Sequence, residues 1–466
     1  MSARPRRDRR TRLARSVSQS VSVALLLCLG AAACTSAADP EPSAGTSSSS
    51  PSTSLASPEP VTLRFAVYGA PGVVAAYRRL AKAYTAEHPE VTVKVEASAD
   101  AVTSADKVDR GFDAGTPPDV FLTRETSMPG LVAQGRLQPV DQLLEKRGVQ
   151  FGDNYQRIGL EAFAADAALQ CMPNDVSPYV VFYNKRLLVP RKLALPGETP
   201  PSPERGWTWE QFVTGARAMS KDGVKGVYLA PRLTTLLPLV RSAGADLVDD
   251  GRKPTTLTFA DESARAALEE ILTVARDPSI TPNGRQLSRQ DALTRFENGR
   301  LGMLIGTRDL VPRLRAKPDL HFDVFPLPNL GRFRTVADIT GYCLSKDTEN
   351  VDASADFMAF ASGAEGSKIM AETGSIVPAN IEALHSPQFT EPGMFPRNSG
   401  VFDQVIRRAD PMPSTPGWPD VVSQTQPYLD RLFYSPVLDL DTLLPRIDEV
   451  SANLLVEPTP SASPSS

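Results

Sequence analysis

Histidine, cysteine and tryptophan are scarce in this 466-residue chain, at three, four and three residues respectively. His88, His321 and His385 stand far apart and outside metal-ligand spacing, so no metal site is expected from them. The motifs G-x-S-x-G, H-E-x-x-H and G-x-x-x-x-G-K-S/T are also missing, which removes the commonest hydrolase and nucleotide-site signatures. No catalytic acid pair is evident either: Asp119 reads as part of a structural turn, and Glu269-Glu270 as a helix surface. Neither an enzymatic activity nor a cofactor is expected. An excess of positive charge is lacking as well. The full chain carries −4; residues 1–33 hold seven Arg and one Asp, or +6, so the remainder carries −4 − 6 = −10. That argues against a nucleic-acid partner and against broad adhesion to anionic lipid.

What the chain does have is a marked beginning. A basic stretch, Arg4 to Arg15, precedes an apolar run, Val21 to Leu29. The run is shorter than the ~20 residues of a membrane span. With the small residues after it, it reads as a secretory signal over 1–33. Cys34 then offers a lipid-attachment site, although Ala31 and Ala33 also satisfy ordinary signal cleavage, and Ala31 stands where a lipoprotein box prefers Leu. Arg9-Arg10 gives only a weak twin-arginine pattern. Residues 34–60 form a Ser/Pro-rich tether and 457–466 a Pro/Ser-rich tail, both expected to be disordered. The expectation is a large domain on the outer side of a cell membrane, lipid-anchored through Cys34, with release as a secreted soluble protein as the alternative. The ~400 residues between tether and tail suit two domains.

Cys28 leaves with the signal, so Cys171 and Cys343 remain as a pair in an oxidising compartment. They read either as two buried small hydrophobes or as a disulfide.

Periodicity gives a strand over 61–67, a helix over 72–88 ended by Pro89, a strand over 91–95, a helix around 105–114 and a strand over 119–123. Strands alternating with helices predict an α/β fold with a parallel sheet, whose ligands sit beyond the carboxyl ends of the strands. Farther on, Thr208 and Gln211 form a capping-box pattern for a helix reaching about Ser220. Helices are expected at 261–277, 288–298, 351–361, 364–372, 421–433 and 439–455, and strands at 301–305 and 335–345.

Several segments, taken in order, carry a family resemblance. They are Pro118-Asp119-Val120-Phe121 with LVAQGRL at 131–137 and Pro139-Val140-Asp141; Met172-Pro173 with VFYNK at 181–185; WTWEQF at 207–212; Phe296, Gly299, Arg300 and Met303; and TGSIVP at 373–378. Together they resemble the family 1 extracellular solute-binding proteins of ABC importers, the maltose-binding-protein-like group, over about 61–455. The resemblance implies two α/β lobes joined by hinge crossovers, with a ligand cleft between them. The expected division is 61–173 for the first part of lobe 1, 174–334 mostly for lobe 2, 335–400 for the return to lobe 1, and 401–456 for C-terminal helices near the cleft. It also implies that the segments around Cys171 and Cys343 lie near the hinge, where a disulfide would close a loop of roughly 170 residues, worth on the order of 5 kcal/mol as an upper figure.

Carried over by local motif, the expected ligand contacts are Tyr68 and Gly69; Thr123, Arg124, Glu125 and Thr126; Asn174 and Asp175 with Gly341 and Tyr342 opposite; Arg232 and Thr234; Thr307 and Arg308; and Trp418 as an aromatic platform. Trp207 and Trp209 read as packing at a helix start. The chain departs from the maltose-type pattern in having Thr123 and Arg308 where tryptophans are expected. The leading expectation is a mono- or oligosaccharide ligand delivered to ABC permease membrane subunits by a monomer. With Arg124, Arg232 and Arg308 in one cleft, a uronic acid or sugar phosphate is the alternative. A ligand sensor on the same fold is a further one. A polyamine would need several cleft carboxylates.

Overall fold

The computed structural model describes residues 60–194 and 197–455. Residues 1–59 and 456–466, on which the expected signal peptide, nearly all of the expected tether with Cys34, and the expected tail fall, lie outside the described residues. Among the described residues no helix is long and apolar enough to cross a membrane.

Two sheets organise the chain. The first runs in the order Ala409–Pro411, Thr335–Ser345, Val120–Arg124, Val61–Tyr68, Val91–Ser98, with Leu137–Gln138 and Cys171–Pro178 also paired to Thr335–Ser345. The second runs Phe322–Phe325, Val180–Asn184, Leu301–Gly306, Lys225–Tyr228. The expectation of a parallel sheet holds only locally. Val61–Tyr68 is parallel to both its neighbours, but Thr335–Ser345 runs antiparallel to Val120–Arg124 and to Cys171–Pro178. In the second sheet Val180–Asn184 is antiparallel to both its partners. The reason is connectivity: Cys171–Pro178 leaves the first sheet and passes through Tyr179 into the second, and Thr335–Ser345 brings the chain back. Two crossovers in opposite directions must pair antiparallel.

Alternate residues of the second sheet face two cores. Val180 and Phe182 belong to the core shared with the first sheet, while Val181 and Tyr183 belong to the other. A strand covered on both faces reads as an unbroken apolar run, which is how VVFYN appears in sequence. The second core is completed by the helices Trp209–Met219, Leu233–Ala243, Glu262–Ala275, Trp418–Tyr434 and Leu440–Leu455.

Local chemistry sets the helix boundaries. Pro71 opens the first helix, and Val74, Tyr77, Leu80, Ala81 and Tyr84 form its buried stripe. The next helix starts at Ala101 rather than Ala105, because Asp100 caps it by accepting from the Thr103 amide at 2.8 Å. The helix expected at 288–298 is two short ones, Gly284–Arg289 and Ala292–Glu297, each with its own cap in Asn283 and Asp291. The Thr208–Gln211 capping box is present with both bonds, at 3.2 and 3.1 Å.

Cys171 and Cys343 face each other across the crossover strands and form a disulfide with a Cα–Cα distance of 4.3 Å. Two residues beyond it the register shifts: Thr340 pairs with Asp175, and Gly341 with Pro173. Gly341 is required here, since a Cβ would lie 2.7 Å from the Phe163 ring and 2.9 Å from the Met172 carbonyl.

Candidate functional site

The carboxyl ends of strands from both sheets meet the crossovers at one place. Tyr68 ends the first strand and Arg124 ends the Val120–Arg124 strand. Glu125 then turns the chain, and its Oε2 accepts from the Ile339 amide at 3.0 Å, standing in for the next rung of the ladder. The crossovers add Asp175, Asp338 and Tyr179, and the turn after Leu301–Gly306 adds Thr307 and Asp309. Ser414 ties the last crossing segment to this corner by donating to the Glu125 carbonyl at 2.7 Å.

Electrostatics bind these residues into one group. Arg124 and Asp338 pair at 3.4 Å, with the Arg124 side chain still 47 % exposed. Asp338 and Asp309 both act on Asp175, and Asp338 acts on Glu125. Burial pushes Asp175 up to about 8, although it accepts from the Val377 amide at 2.8 Å and the Ser177 hydroxyl at 2.7 Å. Burial, followed by the charge of Asp338, holds Glu125 well above the usual carboxylate range. Desolvation within the cleft, followed by the charge of Asp338, raises Asp309 too, partly offset by the Thr307 hydroxyl that donates to it. Burial likewise raises the Tyr68 and Tyr179 phenols, and Tyr179 reaches Thr234. Four carboxylates thus crowd one cleft around Arg124.

Of the residues expected from sequence, the structure brings Tyr68, Gly69, Thr123, Arg124, Glu125, Thr126, Asp175 and Thr234 to this corner. A cavity of about 260 Å³ adjoins this corner, between Tyr68, Thr123, Arg124 and Thr126, the helices Ala101–Asp113 and Met128–Ala133, and Pro416 and Pro419; Glu125, Asp175, Asp309 and Asp338 do not line it. Thr307 joins this corner in the turn after Leu301–Gly306, while several other expected residues are placed differently. Asn174 is buried in the first core, accepting from the Tyr342 hydroxyl at 2.8 Å and donating to that of Tyr77 at 3.4 Å, so Asn174 and Tyr342 satisfy each other. Gly341 is packed under Phe163. Arg308 is 0 % exposed: it lies 4.0 Å over the Phe389 ring, donates to the Phe389 carbonyl at 2.6 Å and pairs with Glu391 at 3.3 Å. Burial lowers it to about 10. Trp418, at 1 % exposure, is the first residue of its helix and packs in the second core, leaving no ring face for a ligand. Arg232 is exposed at the start of Leu233–Ala243. The three-arginine cleft is therefore corrected at Arg308, which is buried, while Arg124 and Arg232 are both exposed. Trp207 is packing, as expected, its indole donating to the Pro326 carbonyl at 2.9 Å.

Asp309, Asp338 and Tyr179 were missed. A signal existed for Asp338, a lone charge within the otherwise apolar TVADIT run. For the turn at 307–310, the short helical turn Arg308–Leu310 sends Arg308 inward and leaves Asp309 exposed, the reverse of the expectation. A larger depression, about 1050 Å³ and lined by Arg289, Arg295 and Arg300 among others, sits by the amino end of Leu301–Gly306, away from the cleft.

A family model described as bacterial extracellular solute-binding protein matches residues 79–396, about two thirds of the chain. No curated protein matches significantly. Solved structures do. An ABC substrate-binding protein from Listeria monocytogenes in complex with cycloalternan aligns with TM-score 0.74 and 20 % identity over 85 % of this chain and 99 % of its own. The sugar-binding protein MalE of Xanthomonas citri aligns with TM-score 0.71 and 17 % identity over 84 % and 97 %. The GacH receptor of Streptomyces glaucescens, solved unliganded and with acarbose, aligns with TM-score 0.69 and 20 % identity over 85 % and 98 %. The fold is the two-lobed arrangement of these proteins.

Proposed function

Because this chain belongs to the bacterial extracellular solute-binding proteins, we propose that it captures a carbohydrate in the interlobe cleft and delivers it to the membrane subunits of an ABC importer. The observation that carries the reading is the meeting of strand ends from both sheets with the two crossovers. It gathers carboxylates, an arginine, threonines and two tyrosines at one corner. Carboxylates and arginine fix sugar hydroxyls, and tyrosine rings pack on apolar sugar faces. The structural neighbours named for sugars support the same class. Cys34 would carry the lipid anchor that keeps a monomeric receptor beside its permease. The cleft works by binding, with the ligand favouring the closed arrangement of the lobes.

Melting the purified protein against neutral mono- and oligosaccharides, uronic acids and sugar phosphates tests this. A ligand at a hundred times its Kd adds ~2.7 kcal/mol, about 3 °C for a domain of ~400 residues. A shift with a sugar is expected. A response to acidic sugars alone would instead favour the anionic reading, against the burial of Arg308.

A further inference from the structure

Outside the cleft, the segment TRFENGR at 294–300 builds a second cluster of charge. The helix Ala292–Glu297 closes at Asn298, Gly299 takes the left-handed conformation at φ +67°, and the Arg300 amide donates back to the Arg295 carbonyl at 2.8 Å. This turn holds Arg295 and Arg300 at the depression of about 1050 Å³, where Arg289 joins them from the end of Gly284–Arg289. Arg289 and Arg300 are exposed, but Arg295 is only 7 % exposed. Its Nε is buried without a partner, and no hydrogen bond or ion pair reaches its guanidinium from any described residue. A buried guanidinium left without an acceptor costs stability. The nearby acids do not supply one. Glu297 is taken by Arg313 and Lys317. Asp291 caps its helix, accepting from the Thr294 amide at 2.9 Å and from the Thr294 hydroxyl at 2.7 Å. Asp222, itself exposed, is the other acid among the described residues lining the depression, so three arginines there meet two carboxylates. Burial, then the charge of Arg300, lowers Arg295 from the usual arginine range, and no acid pulls it back.

The geometry points to an oxyanion site in this depression, taking the phosphate or carboxylate group of a small solute, with Arg295 as the buried fork and Arg289 and Arg300 at the rim. A guanidinium presents paired N–H donors that match two oxygens of one such group. The depression lies by the amino end of Leu301–Gly306, whereas the cleft lies past its carboxyl end. About 20 Å of strand separates the two, so an anion bound here does not depend on what the cleft takes.

Melting the purified protein at neutral pH with inorganic phosphate, citrate or sodium chloride, at matched ionic strength and up to tens of millimolar anion, tests it. Phosphate or citrate should raise the melting temperature saturably beyond chloride, and less so as salt is added. Arg295→Met, which keeps the apolar stem and removes the fork, should weaken the affinity read from that response at least about tenfold. Arg124→Gln, in the cleft, should leave the response unchanged. Should Arg295→Met fail to fold, Arg300→Gln, at an exposed position, carries the test and should weaken the response several-fold. No response beyond that to chloride overturns the site. So does a response that survives Arg295→Met, or survives Arg300→Gln where that variant stands in. A response lost in Arg124→Gln instead would place anion binding in the cleft and overturn it equally, and none of these outcomes bears on neutral sugar capture.

Discussion

Asp175 shows how one side chain can set against the fold a charge that the ligand site uses. It faces Asp338 and Asp309 across the cleft, has Arg308 behind it, and lies near the buried hydroxyls of Tyr77 and Tyr342. Its pKa rises from 3.8 to about 8 because burial disfavours its charge. The folded state therefore holds a proton that the unfolded chain gives up. That contribution to stability is complete below the ordinary value and is lost as pH rises to about 8, by at most ~1.4 kcal/mol per pH unit. Asp175→Asn keeps an acceptor for the Val377 amide without the charge. Urea unfolding of the variant should show a shallower fall in stability between pH 5 and 8 than the wild type; an unchanged slope would mean the carboxylate titrates normally. Trp418 makes the opposite point. Sequence marks it as the one tryptophan free to serve a ligand, but nothing local reveals that the helix beginning there folds back into the second core. Trp418→Ala should cost ~3–5 kcal/mol in chemical unfolding and, in whatever fraction remains folded, leave sugar affinity unchanged. A specific loss of affinity at unchanged stability would restore it as a platform.

At the scale of elements, what the sequence made legible was whatever rests on neighbours along the chain. The apolar stripe of Pro71–Glu87, the capping box at Thr208 and the buried strand Leu301–Gly306 are all local patterns, and all are present. For the same reason, the Val61–Tyr68 and Val120–Arg124 strand ends pointed to the corner where Glu125, Asp175 and Asp338 gather: ligands in α/β sheets collect at carboxyl ends. The misplacements came where two distant segments decide a side chain's direction. The bulge between Thr340 and Gly341 turns Asn174 into the core while Asp175 faces the cleft, and adjacent residues there have opposite fates. Likewise the short turn Arg308–Leu310 exchanges the roles of Arg308 and Asp309, because Phe389, Phe402 and Glu391, some 80 to 94 residues later, provide a slot for a guanidinium. No periodicity within 301–310 carries that information.

For the whole molecule, the disulfide and the cleft acids share the crossovers, and their order along the strands bears on how the lobes move. Cys171 and Cys343 lock the end of the pair held within the first sheet, opposite Phe121 of its Val120–Arg124 strand. The unlocked stretches are Asp175–Pro178 and Thr335–Asp338, next to the second sheet, and these carry Asp175 and Asp338. On the proposed reading, bending is confined to the part of the crossovers that the ligand would touch, so ligand contact and closure act at the same residues. If so, the disulfide stabilises without being the pivot. Changing both cysteines to serine should lower the unfolding free energy by up to ~5 kcal/mol, the chain-entropy ceiling for so long a loop. Ligand should still contract the molecule by the same amount in small-angle scattering as it does in the wild type. A variant that binds the ligand but no longer contracts would place the pivot at the disulfide itself and make the locked end of the crossovers, rather than the acid-bearing end, the seat of closure.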